Sequence, residues 1–328
     1  MTLPPSPTID RCKTDVLAPI AFLAGAKLDV FTGLAPGPAT AEELAERLAV
    51  DPARLSPLLY ALVATGLLEQ QGGAFRNTDE ARHYLVRGSP TFIGDIHVLF
   101  EDLWIGAFQA ADSVRTGEPL AAHDYARMGD DALRAFFAGQ HPDALLAGWK
   151  LADVVDLSGA RRLADIGGGS GGVAIALCER YRELHATVLD LPDVTRVADV
   201  YIAKSACADR VAVSPCDLLR GPLAGDYDVA VMRSLLQVLG PTECREVLRN
   251  LHGALVPNAR LLILGQILDD DRANPKSVAM FNLIFMSFYR EGRAHTEADH
   301  RGWLEAAGFH GIERRLTPNG LNMMIARA

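Results

Sequence analysis

Five of the six residues from Gly167 to Gly172 are glycine, and they follow directly on the short run that begins at Leu163, "LADIGGGSGG". Glycine tolerates positive φ and lets another group approach the backbone, so a cluster this dense marks a sharp turn with something held against it. Its surroundings limit the fold. "RRLADIGG" reads as a strand and "GGVAIALCERY" as a helix, and "HATVLDLP" with "VTRVADVYIAKSA" repeats the pair. "VAVSPCDLL" and "YDVAVMRSLL" read as strands, "TECREVLRNLHGAL" as a helix and "ARLLILGQIL" as a strand. "TEADHRGWLEAAGF" reads as a helix capped by Thr296, and "GIERRLTPNGLNMMIARA" as a closing hairpin. Strands alternating with helices predict an α/β domain with a doubly wound, mostly parallel sheet. The glycines then lie between its first strand and first helix, at the carboxyl edge where such sheets take nucleotides.

A tight turn without a ligand needs the same glycines, so spacing has to decide. The second strand ends in "VLDLP", which places Asp190 25 residues beyond Asp165. A carboxylate there suits the two ribose hydroxyls of a nucleoside. The third strand ends in "PCDLL", where Asp217 is placed to accept from an adenine amino group. No G-x-x-x-x-G-K-[ST] run occurs, so ATP hydrolysis is not expected. The pattern describes an adenosine site without a phosphate-binding lysine.

The first ninety residues follow another pattern. "TAEELAERLAV" opens with a capping box, Thr40 and Glu43, and repeats Ala41, Leu44, Ala45 and Leu48 at helical spacing. "DPARLSPLLYALVATG" follows, with Asp51 as cap and Pro52 in the first turn, and ends near Gly66. "LLEQQGGAFRNT" reads as a hairpin about Gly72 and Gly73. Two helices and a hairpin make a winged helix-turn-helix, whose second helix would read DNA. Yet Arg54 is the only basic residue from Asp51 to Leu68, and Thr40 to Gln70 holds two Arg against five Asp plus Glu. A DNA reader needs cations there. A packing or dimerisation module is expected, with no nucleic acid partner. A net charge of -9 agrees.

The length of 328 residues suggests two domains as a prior. We expect a winged-helix-like dimerisation domain over 1–90, a helical connector and pocket lid over 91–157, and the nucleotide-binding catalytic domain over 158–328. Five scattered cysteines without a C-x-x-C fit a reducing cytoplasm and no metal site. Neither a signal peptide nor an 18-residue apolar run is seen, so no membrane partner is expected.

"LADIGGGSGGVAIALCERYRELHATVLDLPDV" resembles the signature of S-adenosylmethionine-dependent small-molecule O-methyltransferases, which include plant caffeate-type and bacterial natural-product enzymes. The resemblance extends to the N-terminal module, "FFAGQHPDALLAGW", "HTEADHRGWLEAAGF" and "LTPNGLNMMIA". It implies a C-terminal Rossmann-like methyltransferase domain with an N-terminal helical winged-helix dimerisation domain, and a homodimer whose partner completes each active site. It implies S-adenosylmethionine as cofactor, a small-molecule methyl acceptor, and an enzyme of class EC 2.1.1. Carried over, Gly167 and Gly169 would line the methionine part, with Asp165 and Gly168 also binding the cofactor. Asp190 and Leu191 would hold the ribose, Asp217 and Leu218 would flank adenine, and Arg233 stands where the family often has a lysine.

The family's chemistry does not carry over so simply. In-line methyl transfer needs acceptor, methyl carbon and sulfur aligned, and orientation supplies several kcal/mol of the barrier. A phenol or alcohol must also lose its proton, and the family supplies a His in a motif like L-H-D-W. Here "MRSLLQVLGPTEC" has Gln237, Val238 and Leu239 at the His, Asp and Trp positions. Gln accepts no proton at neutral pH. Gly265 and Ala294 stand where the family often has Glu. Three readings follow. The acceptor needs no enzymatic base, as with a thioether sulfur, an activated carbon or an ionised oxygen. Another residue is the base, from His97, His141, Tyr289 and His295. Or the chain binds the cofactor and does something else, such as regulation through the winged helix.

"FNLIFMSFYREG", Phe281 to Gly292, reads as a helix facing the acceptor. Phe281, Phe285, Met286 and Phe288 form its apolar wall, with Asn282 and Tyr289 as polar points. Trp104, Phe108, Trp149 and Tyr289 are candidates to face a sulfonium through cation–π attraction. Arg290, Arg293, Arg115 and Arg127 are candidates to meet an acceptor carboxylate.

Overall fold

The computed structural model describes residues 4–122 and 129–328. Arg127 lies outside them. The chain divides into two compact units, Met1–Glu101 and Asp102–Ala328.

In the first unit the capping box forms as read. The Thr40 hydroxyl accepts from the Glu43 N–H at 3.2 Å, and the Glu43 carboxylate accepts from the Thr40 N–H at 2.8 Å. This starts the helix Ala41–Leu48. Asp51 caps the helix Pro52–Ala64, accepting from the Arg54 N–H. Strands β1 (Leu68–Gln71) and β2 (Ala74–Asn77) pair antiparallel around a two-residue turn. Gly72 and Gly73 both take positive φ, 60° and 88°, the hand that matches strand twist in such a turn. Phe31, Leu44, Leu59, Leu62, Leu68 and Phe75 fill the core of this winged helix.

The second unit is built on a seven-stranded sheet. Its parallel strands are β3 (Arg162–Ile166), β4 (His185–Asp190), β5 (Val211–Pro215), β6 (Tyr227–Arg233) and β7 (Leu255–Leu264). A small parallel pair, β8 (Ile267–Leu268) with β9 (His295–Thr296), stands apart. β10 (His310–Leu316) and β11 (Asn322–Arg327) complete the large sheet in the order β10-β11-β7-β6-β3-β4-β5. The strands alternate their apolar residues between two cores. Leu163, Val229, Val231, Leu262 and Leu264 face the helices Gly172–Arg180, Asp130–Val154 and Pro192–Ile202. Ala164, Ile166, Ala230, Met232 and Ile263 face the helices Pro241–His252 and Glu297–Ala306. A sheet covered on both faces needs apolar residues at every position, which is why these strands read as continuous runs. Chain order reverses between β3 and β6, and the glycine loop follows β3 at that point.

Several boundaries differ from the reading above. "ARLLILGQIL" is not one strand: β7 stops at Leu264, where the Gly265 N–H donates to the Asn322 carbonyl and the Gln266 N–H to the Gln237 side chain. "YDVAVMRSLL" stops at Arg233 because Ser234 turns to φ 56°. The helix expected over 281–292 runs Lys276–Phe288 and ends where Tyr289 turns extended. No helix among the described residues is long and apolar enough to cross a membrane.

Candidate active site

The glycine loop is shaped by what lies around it. Gly167 and Gly169 take φ of 63° and 58°, which L side chains rarely adopt. A Cβ on Gly168 would sit 2.7 Å from Asp165 Cγ, one on Gly169 2.8 Å from the Phe137 ring, and one on Gly172 2.7 Å from the Ala144 methyl. The turn is pressed from below by Asp165 and from one side by the Asp130–Val154 helix. Asp165 is fully buried, and one oxygen accepts from the Ala174 N–H at 3.1 Å while the other has no hydrogen-bond partner among the described residues. Burial, with the Asp190 charge adding to it, pushes its acid up to about 7. The expectation that Asp165 lines the cofactor is corrected here. It has no exposed surface and supports the turn from beneath.

Asp190 ends β4 at the rim of the loop. Its two oxygens accept from the Gly169 N–H at 2.8 Å and the Leu191 N–H at 2.7 Å. Each carboxylate oxygen keeps a lone pair for a further donor, so two hydroxyls are matched. Burial pushes this acid up to about 6 against the pull of the two N–H donors. Leu191, 37% exposed, offers an apolar edge beside it. Asp217 accepts from the Leu219 N–H and pairs with Arg220 at 2.9 Å, so its carboxylate already holds a local turn. Leu218 is buried beside it, its carbonyl accepting from Asn250. Arg233 is ion-paired with Asp143 of the Asp130–Val154 helix. A glycine turn, an acid with two free lone pairs and an apolar edge, all at the switch point of the sheet, fit a nucleoside cofactor.

The histidines separate. His141 shares a 2.9 Å hydrogen bond between Nδ1 and the Ser170 hydroxyl and stacks on Tyr201 at 3.9 Å. Burial lowers its pKa to about 4. Burial thus favours its neutral form, and the ring is engaged with the glycine loop through Ser170. His97 donates locally to the Gly94 carbonyl. His295 is buried, and its Nε2 donates to the Leu239 carbonyl at 3.1 Å, which leaves Nδ1 with the ring's lone pair. Burial lowers its pKa too.

Gln237 lies in the turn Leu236–Val238 after β6. Its Oε1 accepts from the Gln266 N–H at 2.8 Å. A Cβ on Gly265 would lie 2.6 Å from that same oxygen. The two departures from the family pattern are therefore one arrangement: the glutamine occupies the space that any side chain at 265 would enter. Ala294 is buried, and its N–H donates to Asn282 Oδ1 at 2.7 Å.

The expected apolar wall divides as well. Phe285 is buried among Leu268, Val278 and Ala294, as core. Met286 and Tyr289 are half-buried, with Tyr289 beside the Phe285 and Phe288 rings. Trp104 is half-buried. Phe108 is 80% exposed. Arg290 pairs with Glu118 at 2.6 Å and Arg115 with Asp112. Arg293 instead borders a cavity of about 340 Å³ together with Arg245 and Arg272, two arginines that sequence reasoning missed. They come from separate elements, so no spacing in the sequence joins them.

The model of the O-methyltransferase domain matches residues 114–310, and that of the O-methyltransferase dimerisation domain matches residues 15–87. A 3-hydroxy-5-methyl-1-naphthoate 3-O-methyltransferase of Streptomyces sahachiroi is 32% identical over 309 residues, covering 92% of this chain and 89% of that one. A tetracenomycin polyketide synthesis 8-O-methyl transferase of Streptomyces glaucescens is 29% identical over 295 residues, covering 88% and 87%. Human N-acetylserotonin methyltransferase, solved with S-adenosylmethionine, has the same fold, with a TM-score of 0.83 at 22% identity over 100% of this chain and 99% of that one. With the nucleoside-shaped loop, the switch-point topology and both domain models in agreement, this chain belongs to the S-adenosylmethionine-dependent O-methyltransferase family and is a methyltransferase.

Proposed function

We propose that this enzyme methylates a small molecule by holding it in line with the cofactor, without the family's histidine base, at an acceptor atom that arrives already nucleophilic. When bound, S-adenosylmethionine supplies a methyl group on a sulfonium sulfur, open to in-line attack. Gly167, Gly169, Asp190 and Leu191 would hold it, with His141 keeping Ser170 and the loop in place. The observation that carries the reading is Gln237. Its Oε1 is occupied by the Gln266 N–H and its amide has no basic site, so nothing at the family's base position takes a proton. The work left to the chain is alignment and exclusion of water. An ionised oxygen, an activated carbon or a thioether sulfur meets that condition. The Streptomyces sahachiroi relative is named for a ring hydroxyl of a hydroxynaphthoate, an oxygen acceptor on an aromatic acid.

A second reading rests on His295, whose Nδ1 keeps a lone pair and which borders the cavity with Asn282. In it the enzyme is an O-methyltransferase with a relocated base. Formation of S-adenosylhomocysteine across a panel of ionised phenols, unionised phenols, enols and thioethers, followed by a pH profile of kcat, separates the two. The base-free reading expects proton-free acceptors to dominate and kcat to be flat from about pH 6 to 8. An acid limb from a single essential base, titrating below the ordinary imidazole value as burial dictates for His295 and removed by His295→Ala, overturns it. We also propose a homodimer formed through the first unit, supported by the dimerisation match over residues 15–87.

A further inference from the structure

The cavity of about 340 Å³ has a buried floor and a charged rim. His295, Thr296, Trp303 and Leu268 form the floor, each nearly closed to solvent. Arg245, in the helix Pro241–His252, and Arg272 and Arg293, in the loops before and after the helix Lys276–Phe288, form the rim, all exposed. Most other arginines near the sites described are paired, as Arg233, Arg290 and Arg314 are. These three have no hydrogen-bonded or ion-paired acid among the described residues. One acid, Asp299, borders the cavity, and its carboxylate already accepts from the Thr296 N–H at 3.0 Å as a helix cap. Three cations against one engaged carboxylate leave a positive field on a chain whose net charge is -9. The first turns of two helices, Pro241–His252 and Glu297–Ala306, meet the same cavity, and helix N-termini favour anions. Asn282 and Ala294 both border the cavity, and the Asn282 Oδ1 accepts from the Ala294 N–H at 2.7 Å.

We propose that this cavity is an anion subsite that takes a carboxylate or phosphate group carried by the methyl acceptor, with the acceptor's ring against Trp303. The choice of acceptor as ligand rests on the reading given under Proposed function; the anion site itself does not. Arginine forks match both anions bidentately, so the two groups have to be told apart by experiment.

The test titrates the full-length chain with benzoate and, separately, with inorganic phosphate, by calorimetry and by tryptophan fluorescence. Saturable binding near millimolar is expected for at least one of them, with the fluorescence change abolished by Trp303→Phe while the calorimetric signal stays. Each of Arg245→Gln, Arg272→Gln and Arg293→Gln is expected to weaken binding about tenfold and leave S-adenosylhomocysteine affinity unchanged. Benzoate above phosphate assigns a carboxylate; the reverse assigns a phosphate. No saturable binding of either, or binding that the triple arginine variant retains, overturns the subsite. With an acceptor in hand, replacing its acid by the amide is expected to raise KM in the wild type and not in the triple variant. If no acceptor of the panel is turned over but the arginines still govern anion binding, the subsite stands and the proposed acceptor chemistry falls.

Discussion

Gly265 and Gln237 depend on each other. Any Cβ at 265 meets Gln237 Oε1 at 2.6 Å, and that oxygen is the acceptor of the Gln266 N–H. Gly265→Ala should therefore cost about 1–3 kcal/mol in the wild type, the range of overpacking, and little in a Gln237→Ala background. Urea unfolding of the two singles and the double measures that coupling, and equal costs in both backgrounds would refute the contact. Asp190 makes a second prediction at this scale. Its folded pKa, about 6, lies above the ordinary carboxylate value. Its protonated form is therefore favoured by folding, a contribution present below about pH 4 and lost as pH rises through about 6. Ligand binding runs the other way, because ribose hydroxyls donate to the ionised form. S-adenosylhomocysteine affinity should fall about tenfold from pH 7.5 to pH 5. Calorimetry that finds it flat would remove Asp190 from the site.

At the scale of elements, the glycine loop and the Asp130–Val154 helix act as one piece. His141 holds Ser170 from that helix, and Gly148 lies so close to the next helix that a Cβ would fall 2.6 Å from the Ala176 methyl and 3.1 Å from the Val173 carbonyl. Gly148→Val should destabilise the chain by about 1–3 kcal/mol and loosen the loop with it. His141→Phe keeps a ring against Tyr201 and removes the bond to Ser170. We expect it to weaken S-adenosylhomocysteine binding severalfold while leaving the pH profile of kcat unchanged. A lost limb in that profile would make His141 a base after all. The strands and capped helices were legible because their causes are local: alternating apolar residues, Thr40 with Glu43, Asp51 with Pro52, and Thr296 at its helix start. Strand ends were less so. β6 and β7 stop where Ser234 and Gly265 turn toward groups far along the chain, and no window of sequence contains both partners.

For the molecule as a whole, the winged helix of the first unit is a shape without the charge to read DNA. Its exposed apolar residues include Val16, Leu17 and Ile20. Sedimentation should show a dimer, and Leu17→Asp with Ile20→Asp should shift it toward monomer. A gel-shift assay at low salt should show no DNA binding that strengthens with sequence. A chain that stays monomeric at micromolar concentration would remove the homodimer from the proposal.

The amino-acid sequence by itself determined the α/β class, the glycine turn, the acid at Asp190 and the family, because each depends on residues within one strand–turn–helix unit. It also placed Gln237 at the position where the resemblance leads one to expect a histidine. Only the tertiary structure decided which residues meet. Gln237 and Gly265 are 28 residues apart and fill one another's space. His141, in the Asp130–Val154 helix, meets Ser170 in the glycine loop. Arg245, Arg272 and Arg293 border one cavity although 27 and 21 residues separate them along the chain. Contacts of this kind arise from packing between elements, and a periodicity read along the chain carries no record of which elements will meet.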